Sequence, residues 1–232
     1  MIKKSLLLAI TLLLIISCST SDDNTEIVTH LDGSLFINSL QDLEDPIIKG
    51  YKTINGNLVI RGTYEIEDLR GLENLEIING SILIHNNFDL KSLKGLENIT
   101  ELEQLEIKNN RELLSLSGLE NLTDIQETLS ISNNQKLETL NALNSLTNIG
   151  FLFINNNRIL TNLNGLESLR QIPQIGILNN INLISLNGLE GITSSSNVSI
   201  VSNDSLTDFC SLVQFVQDNS QTVRFSAGFN KY

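Results

Sequence analysis

Histidine and cysteine are the side chains with which this chain could do chemistry, and few of them occur. The histidines are His30 and His85, and the cysteines are Cys18 and Cys210. No His-x-x-x-His or Cys-x-x-Cys spacing supplies ligands for a transition metal. No Gly-x-Ser-x-Gly elbow, phosphate-binding loop or dinucleotide fingerprint is present either. The sequence therefore predicts no catalytic residue, no metal site and no cofactor.

Acidic residues recur at a fixed interval, which raises the question of a glycosidase or a calcium site. The column consists of Glu73, Glu97, Glu120, Glu167 and Glu190, with Asn144 interrupting it. Glycoside hydrolysis needs two carboxyl groups across a cleft, one with a raised pKa. Residues stacked along a repeat lie about 4.8 Å apart and form a ladder of like charges instead. A solvated ridge is favoured over a Ca²⁺ site, and an enzyme is disfavoured.

These residues are positioned by one repeat with a period of 23 or 24 residues. Each copy contains two aliphatic residues separated by one, which places both on the same face of a short strand. The pairs are Leu58/Ile60, Ile82/Ile84, Leu105/Ile107, Leu129/Ile131, Leu152/Ile154, Ile175/Ile177 and Val198/Ile200. Further apolar columns follow at intervals of three, which drift off a helix face of 3.6 residues per turn. The repeat therefore predicts coils of short extended or 3₁₀-like segments.

Two polar columns accompany the strands. Three residues after the second aliphatic residue stands Asn87, Asn110, Asn134, Asn157, Asn180 or Asn203, with Thr63 in the first copy. An amide both donates and accepts, so a stacked structural ladder is predicted, with sugar or metal binding as the alternative. The second column is Gly71, Gly95, Gly118, Gly165 and Gly188, replaced by Ala142 and Ser211 in two copies. That tolerance of small side chains predicts crowding by the next coil rather than a positive φ.

The pattern resembles the receptor L-domain branch of the leucine-rich-repeat superfamily. The shared motif is Leu-x-x-Leu-x-Ile-x-x-Asn with Leu three residues later, as in Leu102 to Leu113, and the likeness covers roughly residues 56–226. The usual leucine-rich repeat places that Leu two residues after Asn, so the spacing favours the L domain. Animal L domains carry cysteines that these coils lack. The predicted fold class is mainly β, a right-handed parallel β-solenoid of about eight coils with a short C-terminal capping helix.

One domain over residues 31–232 is predicted, with an N-terminal cap (31–55), repeats (56–205) and a C-terminal cap (206–232). A helical turn is expected at residues 47–51. In the C-terminal cap, Asp208 is predicted to start a helix. Its expected inward face is Phe209, Leu212, Val213 and Val216, with Cys210 as a small core residue and a final strand at residues 222–226.

The N-terminus predicts an anchored protein. Lys3 and Lys4 precede an apolar run too short to span a bilayer, which indicates a signal peptide over residues 1–17. The residues ending at Cys18 resemble a bacterial lipobox, in which the cysteine carries lipid. Residues 18–30 read as a disordered acidic tether, and their start resembles an export signal of surface lipoproteins. We therefore expect a lipid-anchored, surface-exposed outer-membrane protein.

Charge and repeat architecture limit the partners. Losing the two signal-peptide lysines takes the formal charge from −12 to −14, which argues against binding nucleic acid. No disulfide is expected once Cys18 is lipidated, and the protein is expected to be monomeric. The membrane, through the lipid, and an unidentified protein or glycan are the predicted partners.

The residues that the repeat leaves free are the candidate binding face. They lie between and beside the inward strand residues and differ from coil to coil, as expected when each coil contributes a different contact. The candidates are Arg61, Leu83, His85, Glu106, Lys108, Ser130, Ser132, Phe153, Asn155 and Leu178. A merely solvated sheet is the alternative. The predicted function is surface binding or adhesion; the rivals are a structural subunit of an outer-membrane assembly and, less favoured, a carbohydrate-active enzyme.

Overall fold

The structure, a computed structural model, describes residues 28–213 and 215. Its strands, in chain order, are β1 (His30–Leu31), β2 (Leu35–Ile37), β3 (Thr53–Ile54), β4 (Leu58–Arg61), β5 (Ile77–Ile78), β6 (Ile82–His85), β7 (Glu101–Leu102), β8 (Leu105–Lys108), β9 (Asp124–Ser132), β10 (Asn148–Asn155), β11 (Gln174–Leu178) and β12 (Asn197–Val201). The helices are α1 (Leu40–Glu44), α2 (Pro46–Gly50) and two 3₁₀ turns, Asn141–Leu143 and Cys210–Leu212.

The main sheet is a stack of eight parallel strands in the order β2-β4-β6-β8-β9-β10-β11-β12. Equivalent residues of successive copies pair directly, as Leu58 with Ile82 and Ile82 with Leu105. The alternating aliphatic pairs point inward, and from β4 to β12 each is at most 4 % exposed. The fold-class prediction of a mainly β, parallel β-solenoid is confirmed.

A second, narrower wall carries β1, β3 and β5 in parallel order. It continues where β7 pairs with the start of β9, and where β9 pairs with β10 from residue 124 onward. The long strands β9 and β10 thus turn the corner between the walls. The column that closes each coil lies on this wall and is buried, as Ile78, Leu102 and Ile125 show.

Between these walls lies one continuous aliphatic core. The three-residue columns drop one side chain each into the interior, and Leu113, Leu116, Leu119 and Leu122 are all 0 % exposed. The core extends from Leu35 to Phe215 as a single cluster. Because every coil shares its apolar surface with two neighbours, the repeats stabilise one another rather than folding singly.

The glycine corner differs from the prediction. Gly118 has φ 113°, so the corner does require a left-handed backbone. The crowding is also present, because a Cβ on Gly118 would overlap the carbonyl of Leu93 in the preceding coil. The two copies without glycine solve the problem differently: Ala142 and Ser211 each lie in a 3₁₀ turn. The prediction that φ is not positive was wrong, since the substituted coils change their backbone instead of tolerating it.

The N-terminal cap is more structured than expected. The predicted turn is α2, and α1 precedes it, with Ser39 and Asp42 forming a capping box. His30 belongs to β1, so the last residues assigned to the tether are part of the folded body. Residues 1–27, which include the predicted signal peptide, Cys18 and the rest of the tether, lie outside the described residues.

The C-terminal cap corrects two expectations. Phe209 and Val213 are 41 % and 46 % exposed, so they do not share a buried face with Leu212, which is buried. Cys210 is exposed rather than in the core, because the chain here makes a 3₁₀ turn that directs Leu212 inward. Val216 and the predicted strand at 222–226 lie outside the described residues. Within the described ranges no helix has the length and apolar character needed to cross a membrane.

Candidate binding face

Two outward rows of the main sheet form a surface that we call the sheet face. The first row is Phe36, Val59, Leu83, Glu106, Ser130, Phe153, Gly176 and Ser199. The second row is Arg61, His85, Lys108, Ser132, Asn155, Leu178 and Val201. All ten predicted binding residues lie in these rows, because in-register parallel pairing brings equivalent positions of each coil together.

The exposure of these side chains is uneven. Arg61 and Lys108 are exposed, whereas the apolar, histidine, serine and asparagine candidates are mostly half-buried. Ser132 is only 5 % exposed, so the prediction that it presents its side chain to a partner is wrong. Its short side chain stands in register between the longer Lys108 and Asn155, and it ends below the level of the surrounding groups.

A pair of phenylalanines lies at the C-terminal half of the sheet face, with Phe153 on the face and Phe151 at its edge. Phe151 and Phe153 have ring centroids 6.0 Å apart at 41°, a tilted arrangement that aromatic pairs favour. Phe153 lies over Gly176 of the next coil, where an added Cβ would be 3.0 Å from the Phe153 ring. Leu178 follows Gly176 on the same strand two residues later. Gly176 is buried, so the Phe153 ring occupies the space that a side chain at position 176 would need.

Sequence reasoning missed Phe151 and Phe36. Phe151 precedes the inward pair of β10 and pairs with Thr128 and Gln174, so it belongs to a third row beside the sheet face. Phe36 is 49 % exposed at the start of the first row. Each is the neighbour of an inward residue, Leu152 or Leu35. Extending the alternation of inward and outward residues by one position along the strand would have identified both as outward.

The N-terminal half of the sheet face is charged. His85 Nε2 lies 3.5 Å from Glu106 Oε1 and has no hydrogen-bond partner among the described residues. Burial lowers the pKa of His85 below its ordinary value, and Lys108 and Arg61 lower it further, while Glu106 opposes them. His85 is therefore neutral at pH 7, and Arg61 and Lys108 carry the positive charge of this region.

The asparagine column is a buried hydrogen-bond ladder. Asn134 Oδ1 accepts hydrogen bonds from the backbone N–H of Asn110 at 3.0 Å and from its side-chain amide at 3.1 Å. Asn134 Nδ2 in turn donates to the Ile107 carbonyl at 3.0 Å. The same pattern runs from Asn87 to Asn203, and all six are at most 3 % exposed. Buried and internally satisfied, these side chains hold the turns together and are not available to a sugar or metal.

The one exception, Thr63, marks the end of the ladder. Its N–H and its hydroxyl both donate to Asn87 Oδ1, at 3.2 and 2.9 Å. The copy before it enters helix α1 at Leu40 and no longer has the ladder turn. The side chain at position 63 therefore does not have to accept hydrogen bonds from the turn of a preceding coil. A hydroxyl group that donates to Asn87 is sufficient there.

The acidic column is tied to the glycine corner. Glu120 Oε2 accepts a hydrogen bond from the backbone N–H of Gly118 at 2.8 Å. The other four glutamates do the same at 2.7–2.8 Å to the glycine two residues before each of them. In the copy with Ala142 the position holds Asn144. The glutamates thus satisfy the left-handed corner, and within residues 28–213 and 215 no group of three metal-ligating side chains occurs.

Comparison with known proteins agrees with this architecture. The family model described as Receptor L domain matches residues 20–118 and 50–137, which together span just over half of the chain. No curated protein matches the chain. The matched segments contain the first strands of the main sheet and the first half of the asparagine ladder. The chain therefore belongs to the receptor L domain family, a family of non-enzymatic ligand-binding modules.

Proposed function

We propose that the protein is a lipid-anchored cell-surface module that binds a protein or glycan through the sheet face. One observation carries the proposal: the inward residues of the repeat are uniformly aliphatic, while the outward rows differ in every coil. Uniform inward residues satisfy stacking. Residues that differ along one face of a regular scaffold give each coil a separate contact with a partner.

The phenylalanine pair and Leu178 support this assignment. Phe151, Phe153 and Leu178 remain only partly buried on a sheet whose other side already buries a complete core. Aromatic side chains are enriched at the centres of protein interfaces and are among the residues that contribute most to affinity. A partner that covers these side chains would remove apolar surface from water without any change in the solenoid.

Capture experiments on intact cells, combined with a glycan array, test the proposal. Phe153→Ala and Leu178→Asp are expected to abolish binding to the same cell-surface molecule or glycan. Ile184→Asp is the matched control, because Ile184 is 51 % exposed but lies outside the strands of the main sheet. Equal binding by all three variants would contradict the sheet-face assignment, and hydrolysis of a polysaccharide would replace binding with catalysis.

Anchoring is tested separately. Cys18→Ser is expected to release the protein from the membrane fraction, and protease treatment of intact cells is expected to remove the wild-type protein. Retention of the Cys18→Ser protein in the membrane would contradict lipid attachment. Protection from protease would place the protein on the periplasmic side.

A further inference from the structure

Two cations without ion-pair partners lie on either side of His85 in the N-terminal half of the sheet face. Register places His85 between Arg61 on β4 and Lys108 on β8. Across residues 28–213 and 215, no carboxylate lies within 4.0 Å of either cation. Among the described residues, Lys49, Lys94, Arg158 and Arg170 also have no carboxylate within that distance. What distinguishes Arg61 and Lys108 is that both lie in the second row of the sheet face.

This arrangement runs against the overall charge. The chain carries a formal charge of −12, yet Arg61 and Lys108 outweigh Glu106, the acidic residue of these two rows. The surface therefore attracts anions locally, while the rest of the body repels them. The two cations are separated by one strand, and hence by about 10 Å at the backbone. That distance matches two carboxylates three residues apart on a polyproline II segment, which has three residues per turn and rises about 3.1 Å per residue, so that both lie on one side.

Apolar side chains flank the cations. Leu83 is partly exposed in the first row beside His85, and Phe36 begins that row and is 49 % exposed, whereas Val59 between them is buried. Aliphatic side chains of a protein segment pack on such a strip. A uronate glycan offers carboxylates, but its hydroxyl groups gain little from contact with Phe36 and Leu83.

We propose that the N-terminal half of the sheet face binds an acidic, partly apolar protein segment, with Arg61 and Lys108 pairing with its carboxylates. The inference rests on the proposed function and names its partner class. Phe36 and Leu83 pack against the apolar side chains of that segment. His85 lies between the two cations, and Glu106 on β8 faces it.

The arrangement predicts a pH response that accompanies binding. In the free protein, burial lowers the pKa of His85. The positive charges of Lys108 and Arg61 lower it further, and the negative charge of Glu106 raises it. A bound carboxylate adds a second negative charge beside the ring and raises that pKa. Binding is therefore expected to strengthen as the pH falls toward the pKa of His85.

A random twelve-residue peptide library displayed on phage is the probe, selected against the full chain at 10 mM salt. Selected peptides are expected to be rich in Asp and Glu interspersed with apolar residues. Arg61→Gln combined with Lys108→Gln should weaken their binding about tenfold, and less at 150 mM salt, because the screening length shortens from about 30 Å to about 8 Å. The matched control is Lys94→Gln with Arg158→Gln, an equal charge change at exposed positions off the sheet face; it should leave binding unchanged.

Leu83→Ala distinguishes the two anionic partner classes. Peptide binding should weaken in this variant. The peptide assignment would be overturned if oligogalacturonate binds the protein, loses affinity when Arg61 and Lys108 are replaced, and keeps its affinity in Leu83→Ala. Peptides without acidic residues, or equal losses in both charge variants, would overturn the inference itself. If the acidic-peptide inference fails but Leu178→Asp still abolishes capture from cells, the proposed binding function of the sheet face stands. If Leu178→Asp also leaves capture unchanged, the inference and the proposed function are both wrong.

Discussion

Truncating one rung of the asparagine ladder should destabilise the whole solenoid. Asn134→Ala removes the acceptor of the Asn110 backbone N–H and the amide that donates to the Ile107 carbonyl. Both groups are buried, since Asn110 and Ile107 are 0 % exposed. An orphaned buried donor costs about 1–3 kcal/mol, and a further lost hydrogen bond about 1 kcal/mol. With the small cavity left by the amide, the loss is about 3–5 kcal/mol.

The neighbouring asparagine is the matched control for this prediction. Asn133 has φ 59° and accepts one hydrogen bond, from Asn156 Nδ2 at 2.7 Å, at the outer edge of the turn. Asn133→Ala should cost about 1–2 kcal/mol, chiefly because alanine is disfavoured in the left-handed region. Urea unfolding followed by circular dichroism measures both, and the Asn134→Ala midpoint should fall by roughly 10 °C in a thermal scan. Equal losses in the two variants would refute the assignment of the inner column as the structural ladder.

Three further outcomes follow from the glycine corner and the sheet face. Gly118→Ala should destabilise the protein by more than about 3 kcal/mol, because φ is 113° and the new Cβ overlaps the Leu93 carbonyl. Gly62→Ala, at φ 64° with open space around it, should cost about 1 kcal/mol, and similar unfolding midpoints for the two variants would contradict the crowding at Gly118. The NMR titration midpoint of His85 should lie below 6.5, and Glu106→Gln should lower it further by removing the one charge that raises it; an unchanged midpoint would contradict the coupling. Because the folded pKa is depressed, the unfolded chain binds the proton first, so stability relative to His85→Gln should decline as the pH falls below 6.5 toward the folded pKa.

The columns of the repeat predicted the fold because stacking constrains them directly. Each inward position must fill the same space in every coil, so Leu and Ile recur there and the strand pairs can be read from the chain. The asparagine ladder was predicted for the same reason. An amide that donates and accepts is the group able to satisfy two neighbouring turns at once.

Backbone conformation was harder to predict from side-chain tolerance. Ala142 occupied a glycine position, which suggested that φ there was ordinary, but the Ala142 coil forms a 3₁₀ turn with a different φ. A second signal was present in the sequence: Glu120 follows Gly118 by two residues, and the pairing is lost with Ala142 and Asn144. Changes that occur together in one copy indicate a local change of structure rather than tolerance.

The sheet face was located correctly in position but not in exposure. Alternation along a strand gives the direction of Ser132, whereas its burial depends on Lys108 and Asn155 in adjacent coils. The predicted burial of Phe209 and Cys210 was wrong for a similar reason. The exposure of a residue at the end of the solenoid depends on the geometry of its turn, which the periodic part of the chain does not specify. The periodicity of the sequence does not predict the exposure of a side chain when that exposure depends on neighbours outside the repeating pattern.

Photo-crosslinking in intact cells shows whether the sheet face contacts a partner. A photoreactive phenylalanine analogue is placed at Phe153 or Leu178 on the sheet face, and at Leu114 or Ile184 outside the strands of the main sheet, where the native side chains are 40 % and 51 % exposed. If the sheet face is the binding surface, a discrete adduct of one size is expected from the two sheet-face positions and none from the other two. Adducts that form equally at all four positions, or only at Leu114 and Ile184, would contradict the assignment of the sheet face as the binding surface.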